Sequence, residues 1–362
     1  MSTIPDPVRL GVVGLGFMGQ THATNFEELG HEVVAGTDVA EEARDSFTDA
    51  YGARTYADAG TMYHEEDLDA VAVSTPNAFH EDSVVAALES GHDVFCEKPL
   101  ANDLESAERI AAAAREADGF CMVNFHNRVT TPVAVFKEYQ TEGHFGEITH
   151  VDANYVRRRG IPGVGSWFTS EELAGGGAVI DVGVHAIDLA LYLMEFPRVE
   201  EVFGVTRTEF GHREDYVDPG DWYDETEEAV FDVEDSATAM IRCADDRTIS
   251  LEVTWAANQA DTSEFVARGT EAGASLEMGG EELTLYGAGK QGTDHLIDST
   301  LTEGSLEHTG WLGSDERFAE AVVRGEPPEL NSAEHALVVQ RVIDAIYRSA
   351  DAGGCVSLED TR

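Results

Sequence analysis

The apolar run Leu10-Gly11-Val12-Val13 leads straight into Gly14-Leu15-Gly16-Phe17-Met18-Gly19, and the residues after it read as a helix. Met18, His22, Phe26 and Leu29 recur there at three- and four-residue spacing and share one face. A strand that turns through glycines into a helix opens a βαβ unit and commits this part of the chain to a parallel sheet. The glycines allow the tight turn, and they let a phosphate approach backbone N–H groups at the helix N-terminus. Alternation then continues, with strands expected at Glu32–Thr37, Ala70–Val73, Val94–Cys96 and Phe120–Val123. Helices are expected at Ala40–Tyr51 and near 79–89 and 104–117. Residues 1–126 therefore read as a doubly wound α/β domain.

The pattern changes after residue 126. Strands are expected at His150–Tyr155, Val202–Arg207, Ser236–Cys243, Thr248–Thr254, Glu264–Ala267 and Leu283–Leu285, many with alternating polarity. One strong helix, Val184–Met194, follows the glycines 175–177. A strand-rich half with few helices predicts an α+β domain over 127–362 with a large, predominantly antiparallel open sheet. The acidic stretch Arg213–Asp235 reads as a surface loop. A last amphipathic helix, Ser332–Ala350, has Ser332 as N-cap and Gly353 beyond its end, and is free to pack back on the first domain.

Charge narrows the function classes. Of 362 residues, 70 are Asp or Glu and 23 are Lys or Arg, so the net charge is −47. The acids are spread along the chain, which places them on a folded surface. Self-repulsion of that size is relieved at molar salt, where the Debye length is about 3 Å. A salt-rich cytoplasm is therefore expected, and nucleic acid and anionic membrane are disfavoured as partners. No run of 18 apolar residues and no signal peptide is read in the sequence. The four cysteines are far apart, with no CxxC pair, and suggest reduced thiols and no metal site.

Asp38 lies at the end of the second expected strand, 19 residues after Gly19. A carboxylate there can accept both hydroxyls of a ribose, which makes the glycine turn a dinucleotide site. It also repels a 2′-phosphate. With Arg44 assigned to the helix surface, NAD is favoured and NADP stays possible. Further on, a buried strand runs into Glu97-Lys98-Pro99 and places Lys98 at the carboxyl edge of the sheet. Only three lysines occur in the chain, so one retained here suggests a role that arginine cannot fill.

Together with Ser74-Thr75-Pro76-Asn77, His80 and the stretch from Gly175 through Asp181 to His185, these motifs resemble the Gfo/Idh/MocA oxidoreductases over nearly the whole chain. The resemblance implies a Rossmann domain followed by an open-sheet domain, in a homodimer or homotetramer. It implies that Lys98, Asp181 and His185 meet beside the nicotinamide and the reacting carbon. Ser74, Thr75, Pro76, Asn77, His80, Glu97 and Lys98 itself would help to hold the cofactor, beside Gly14, Gly16, Phe17, Met18 and Gly19.

The chemistry of the residues agrees. Asp181 and His185, four apart at a helix start, can share one face. An imidazole suits the hydroxyl proton released in hydride transfer, an ammonium suits developing alkoxide charge, and Asp181 would orient substrate or His185. Asp188 reads as structural. His126 and Asn127, after the last Rossmann strand, and Arg157, Arg158 and Trp167 are candidate substrate contacts. A fixed salt-bridge cluster is the other account of the arginines, and His308 and Trp311 are further candidates. The expected function is an NAD(P)-dependent dehydrogenase of a cyclic sugar, polyol or inositol. The alternatives are a sugar–sugar oxidoreductase with tightly bound cofactor and a non-catalytic dinucleotide sensor.

Overall fold

In the first half of the chain, the strands made only of small and branched apolar residues are covered on both faces, as a parallel sheet requires. The computed structural model describes residues 7–213, 215–217, 230–301 and 306–358. The chain divides into two units: residues up to His126 with Trp311–Gln340, and Asn127–Gly310 with the chain from Arg341 on.

The first unit begins β1 (Arg9–Val13), α1 (Phe17–Glu28), β2 (Glu32–Thr37), α2 (Glu41–Tyr51), β3 (Arg54–Tyr56) and α3 (Ala59–Glu65). It continues β4 (Ala70–Val73), α4 (His80–Glu89), β5 (Asp93–Cys96), α5 (Leu104–Glu116) and β6 (Cys121–Val123). The strands are all parallel in the order β3-β2-β1-β4-β5-β6. The order reverses between β1 and β4, which opens a crevice at their carboxyl ends, where ligands bind in such sheets.

The second unit contains α6 (Thr131–Thr141), β7 (Ile148–Val156), α7 (Glu171–Ala174), α8 (Val184–Leu193), β8 (Val199–Arg207), β9 (Ser236–Cys243) and β10 (Thr248–Thr254). After these come β11 (Glu264–Gly269), β12 (Gly273–Glu277), β13 (Leu283–Gly289) and β14 (His295–Leu301). With the late strand β15 (Val356–Ser357) they form a nine-stranded sheet, β14-β13-β12-β11-β7-β10-β9-β8-β15. Among the described residues of this sheet, only the β7–β10 pair is parallel. Along β9, Ala237, Ala239 and Ile241 are buried while Thr238 and Met240 are exposed, so one face is covered and the other open. Almost every side chain of α8 is buried, as expected of a helix apolar on all sides. The helical stretch Glu171–Leu193 is apolar and long enough to cross a membrane, and 89% of its apolar window lies buried inside the protein.

Two late helices follow, α9 (Gly310–Arg324) and α10 (Ala333–Ala352). Phe318 of α9 completes the core of the first unit, stacked on Phe95 at 5.0 Å and meeting Phe26 and Phe120. Ser332 Oγ accepts from His335 N at the start of α10, and Gly353 ends it with φ +64°. Cys96, Cys121 and Cys243 are buried and Cys355 is exposed, all as free thiols.

The expected surface loop Arg213–Asp235 requires correction at its end. Residue 214 and residues 218–229 lie outside the described residues, but Phe231, Val233, Glu234 and Asp235 are buried. Asp235 Oδ2 accepts from the backbone N–H groups of Glu209, Phe210 and Gly211 at 2.6–3.0 Å. Charge in this segment serves backbone satisfaction as well as solvation. The elements β3, α3, α6, α7, β12, β14, α9 and β15 are not anticipated by the sequence patterns. The strands among them have 2–7 residues, and their apolar periodicity is too short to register.

Candidate functional site

The glycine turn is built by close backbone approach. Gly14 has φ +86°, and a Cβ there would lie 2.7 Å from the Ser74 carbonyl oxygen. A Cβ on Gly19 would lie 2.0 Å from the Gly14 carbonyl, so α1 can start this close to β1 only with glycine. Gly16 faces open space, with no atom within 4 Å of a Cβ position. Phe17 is exposed, Met18 half-buried and Gly19 buried.

Asp38 ties two turns together. Its Oδ2 accepts from Leu15 N (2.9 Å) and its Oδ1 from Ala40 N (2.8 Å). Arg44 is not out on the helix surface: its Nη1 donates to the carbonyls of Asp38 (2.7 Å) and Val39 (3.0 Å). The carbonyls of the turn after β2 hold the guanidinium over the first turn of α2. Beside the glycine turn, Ser74 Oγ and Thr75 Oγ1 are buried with no hydrogen-bond partner. Unsatisfied hydroxyls at the crevice, an open Gly16 and a carboxylate at the end of β2 fit a dinucleotide. Pro76 and the buried Asn77 continue this turn. His80 is buried, with Nδ1 2.9 Å from the Pro99 carbonyl and Nε2 3.0 Å from the Thr75 carbonyl, and burial pushes its pKa down. It lies between the turn after β4 and the turn after β5, and its single N–H can serve the carbonyl of either one.

Lys98 stands on a turn anchored by a buried ionic cluster. His22 of α1 places Nε2 3.0 Å from Glu97 Oε1 and Nδ1 2.8 Å from Asp315 Oδ1 of α9. Asn124 Nδ2 donates to Glu97 Oε1 (2.7 Å), Lys98 N donates to Glu97 Oε2 (3.1 Å), and Asn25 Nδ2 donates to Asp315 Oδ2 (2.5 Å). Burial alone would discharge His22, but the two flanking carboxylates outweigh it and raise its pKa to about 10. Glu97, although buried, is held down to about 2 by His22, Asn124 and Lys98. His22, Asn124 and Asp315 carry no sequence signal for this role; the two partners bonded through His22 Nδ1 are 293 residues apart.

The cluster has a pH signature. His22 has its folded pKa raised, so its contribution is complete below about 6.5, the unfolded value, and is lost as pH rises toward 10. Glu97 has its folded pKa lowered, so its contribution is present above about 4.5 and lost as pH falls toward 2. Thermal midpoints measured from pH 7 to 10 should fall more steeply for the wild type than for a His22→Gln/Asp315→Asn/Glu97→Gln variant. Parallel curves would show that His22 is not charged in the folded state.

In the second unit, the glycines 175–177 lead into a π-helical turn, Val179–Gly183, which continues as α8. The expected plain helix start is corrected there: Asp181 lies in the wider π turn and His185 in the first turn of α8. Glu234 clamps this start, accepting from Gly177 N (2.9 Å), Val179 N (2.8 Å) and the Tyr347 hydroxyl (3.1 Å). A Cβ on Gly177 would lie 1.8 Å from the Glu234 carbonyl oxygen. Asp181 Oδ2 accepts from the Trp255 indole N–H (2.9 Å), and the buried His185 has Nδ1 3.2 Å from Asn127 Nδ2. Turning the Asn127 amide exchanges donor for acceptor, so one contact orients the ring with either nitrogen protonated. The next residue, Arg128, makes a buried bidentate pair with Asp188 between the rings of Tyr192 and Phe196. Asp188 is structural in this sense.

The arginine cluster divides. Arg157 donates to the Tyr155 hydroxyl (2.7 Å), is half-buried, and feels the charge of Asp181. Arg158 is exposed and is held through its backbone to Asp261. Trp167 stacks on its neighbour Phe168 at 3.8 Å. His126 belongs to the first unit, where it accepts from the Trp311 indole (3.1 Å). Glu234, Trp255 and Tyr347 also escape sequence analysis, since none sits in a spaced motif. Among the described residues, no group of three or more His, Cys, Asp or Glu could hold a metal ion.

Comparison with known proteins gives consistent matches. Residues 8–125 match the Gfo/Idh/MocA model described as an oxidoreductase family with an NAD-binding Rossmann fold, and residues 133–275 match the Gfo/Idh/MocA C-terminal domain. D-glucoside 3-dehydrogenase of Escherichia coli (strain K12) is 30% identical over 98% of both chains. D-xylose 1-dehydrogenase (NADP+) of Haloarcula marismortui is 24% identical over 98% of this chain and 94% of its own. A solved levoglucosan dehydrogenase, in complex with NADH and levoglucosan, superposes with a TM-score of 0.84 at 24% identity, covering 98% of this chain and all of that one.

Proposed function

The chain belongs to the Gfo/Idh/MocA oxidoreductases, and on that premise we propose that it oxidises a secondary hydroxyl of a cyclic sugar, polyol or inositol, or reduces the corresponding ketone. The observation that carries this is the anchoring of Lys98. Three buried ionisable groups, His22, Glu97 and Asp315, are costly to bring out of water, and they converge on the turn that presents this lysine.

In the reaction, Lys98 donates a hydrogen bond to the substrate oxygen and stabilises it as the proton leaves. His185 takes that proton in oxidation and returns it in reduction, with its ring oriented by Asn127. Asp181, fixed by Trp255, orients the substrate hydroxyl and balances the charge of Arg157, the substrate contact retained from the arginine cluster. The nicotinamide, when bound, accepts or supplies the hydride at the carbon. The proposed cofactor domain is 1–126 completed by Trp311–Gln340, which the expected boundary at 126 leaves with the second half, and the substrate domain is the rest of 127–362. Gly14, Gly16, Phe17, Met18, Gly19, Asp38, Ser74, Thr75, Pro76 and Asn77 hold the cofactor, while His80 and Glu97 support it by fixing the two turns. A salt-rich cytoplasm and a homodimer or homotetramer complete the reading.

An absorbance screen of alkyl glucosides, anhydrosugars, aldoses and inositols with NAD and NADP, in concentrated KCl, tests it. Reduction of cofactor by at least one of these is expected. Cofactor binding without turnover on any would favour the non-catalytic sensor.

Asp38 makes NAD the preferred cofactor, because its carboxylate opposes a 2′-phosphate. Arg44, already at the same strand end, is the cation that would welcome the phosphate once the carboxylate is gone. Asp38→Ser should therefore lower the NAD/NADP ratio of kcat/KM by about tenfold or more, since a charge-assisted hydrogen bond is worth about 1.5–3 kcal/mol. An unchanged ratio would remove Asp38 from the discrimination.

A further inference from the structure

We propose that Phe17, Trp311 and His126 form an aromatic strap over the nicotinamide half of the dinucleotide site, with Trp311 as the residue that governs cofactor release, a proposal that rests on the dinucleotide reading of the first unit. Phe17 follows the second glycine of the turn and is 73% exposed. Its ring meets that of Trp311 edge-on, at 6.3 Å and 74°. Trp311, at the start of α9, is 39% exposed, and its indole N–H donates to His126 Nδ1 at 3.1 Å, with the two rings 5.4 Å apart. Burial pushes the His126 imidazole down to about 4, so Nδ1 keeps the lone pair that accepts this bond.

Topology says what the strap crosses. Phe17 follows β1, His126 follows β6, and the sheet order places β4 and β5 between them. The turns after β4 and β5 carry Ser74, Thr75, Glu97 and Lys98, and His126 feels the charges of Glu97 and Lys98. A dinucleotide with its pyrophosphate on Gly14–Gly19 and its nicotinamide toward Lys98 runs along that path. Two large exposed rings beside the glycine turn are also poorly suited to water on a chain of net charge −47. An aromatic wall gives a planar, rigid contact for ribose and nicotinamide at little entropic cost.

Stopped-flow release of NADH, with ADP binding measured alongside, separates this role from a structural one. Trp311→Ala should release NADH about tenfold faster or more, while Trp311→Phe, which keeps a ring, stays within about threefold of wild type. ADP, which carries only the adenine half and the phosphates, should bind all three proteins with affinities within about twofold. Unchanged NADH release in Trp311→Ala, or ADP weakened as much as NADH, would overturn the strap. Wild-type protein that bound neither ADP nor NADH would overturn the dinucleotide reading itself.

Discussion

Lys98→Met should lower kcat by about a thousandfold, because removal of one preorganised donor to a developing oxyanion costs about 10²–10³ in rate. NAD affinity should stay within about threefold if, as proposed, the lysine acts on the substrate oxygen. The substitution keeps the length of the side chain and leaves the backbone contact of residue 98 with Glu97 available. Lys98→Arg should not restore full rate, because a planar guanidinium does not reproduce a compact ammonium. Loss of NAD binding in Lys98→Met would mean that the residue serves the cofactor. A rate within tenfold of wild type would remove it from the chemistry.

Arg128→Met should produce the largest loss of stability, about 3–5 kcal/mol, because it strands Asp188 without its counter-charge in the core of the second unit. Desolvation already pushes the Asp188 carboxyl upward, and Arg128 is the group that opposes it. The double variant Arg128→Met/Asp188→Leu should regain much of that loss, since an apolar pair of similar volume is often as stable as a buried ion pair. Denaturant unfolding of the two variants measures this directly. A single variant within about 1 kcal/mol of wild type would show that the pair contributes little. Arg128 also holds the chain beside Asn127, so the stable double variant should still lose activity through a poorly oriented His185.

Much of this organisation is legible in the sequence. The glycine turn is legible because glycines recur at fixed spacing between a strand and a helix, and at Gly14 and Gly19 a Cβ would lie under 3 Å from a neighbouring carbonyl. The place of Lys98, just beyond the carboxyl end of β5, is legible because a short apolar run leads straight into it. What supports these groups is not legible. Asp315 reaches His22 from the far end of the chain, and Glu234 clamps a turn 57 residues earlier; neither contact leaves a periodic or spaced trace. The segment before β9 misleads for a related reason: acids that satisfy buried backbone donors have the same composition as acids that solvate a loop. Arg44 sits at a position typical of a helix surface, and its bonds to the carbonyls of Asp38 and Val39, just beyond β2, leave no trace in the sequence.

The central claim is hydride transfer between a sugar carbon and a nicotinamide. It is tested most directly by incubating the protein in concentrated KCl with NAD and uniformly C-deuterated pyranosides or inositols, and then weighing the reduced cofactor. Reduced NAD carrying one deuterium from at least one of these substrates, with the label lost in Lys98→Met, is the predicted result. Bound NAD that acquires no label from any of them would contradict the account.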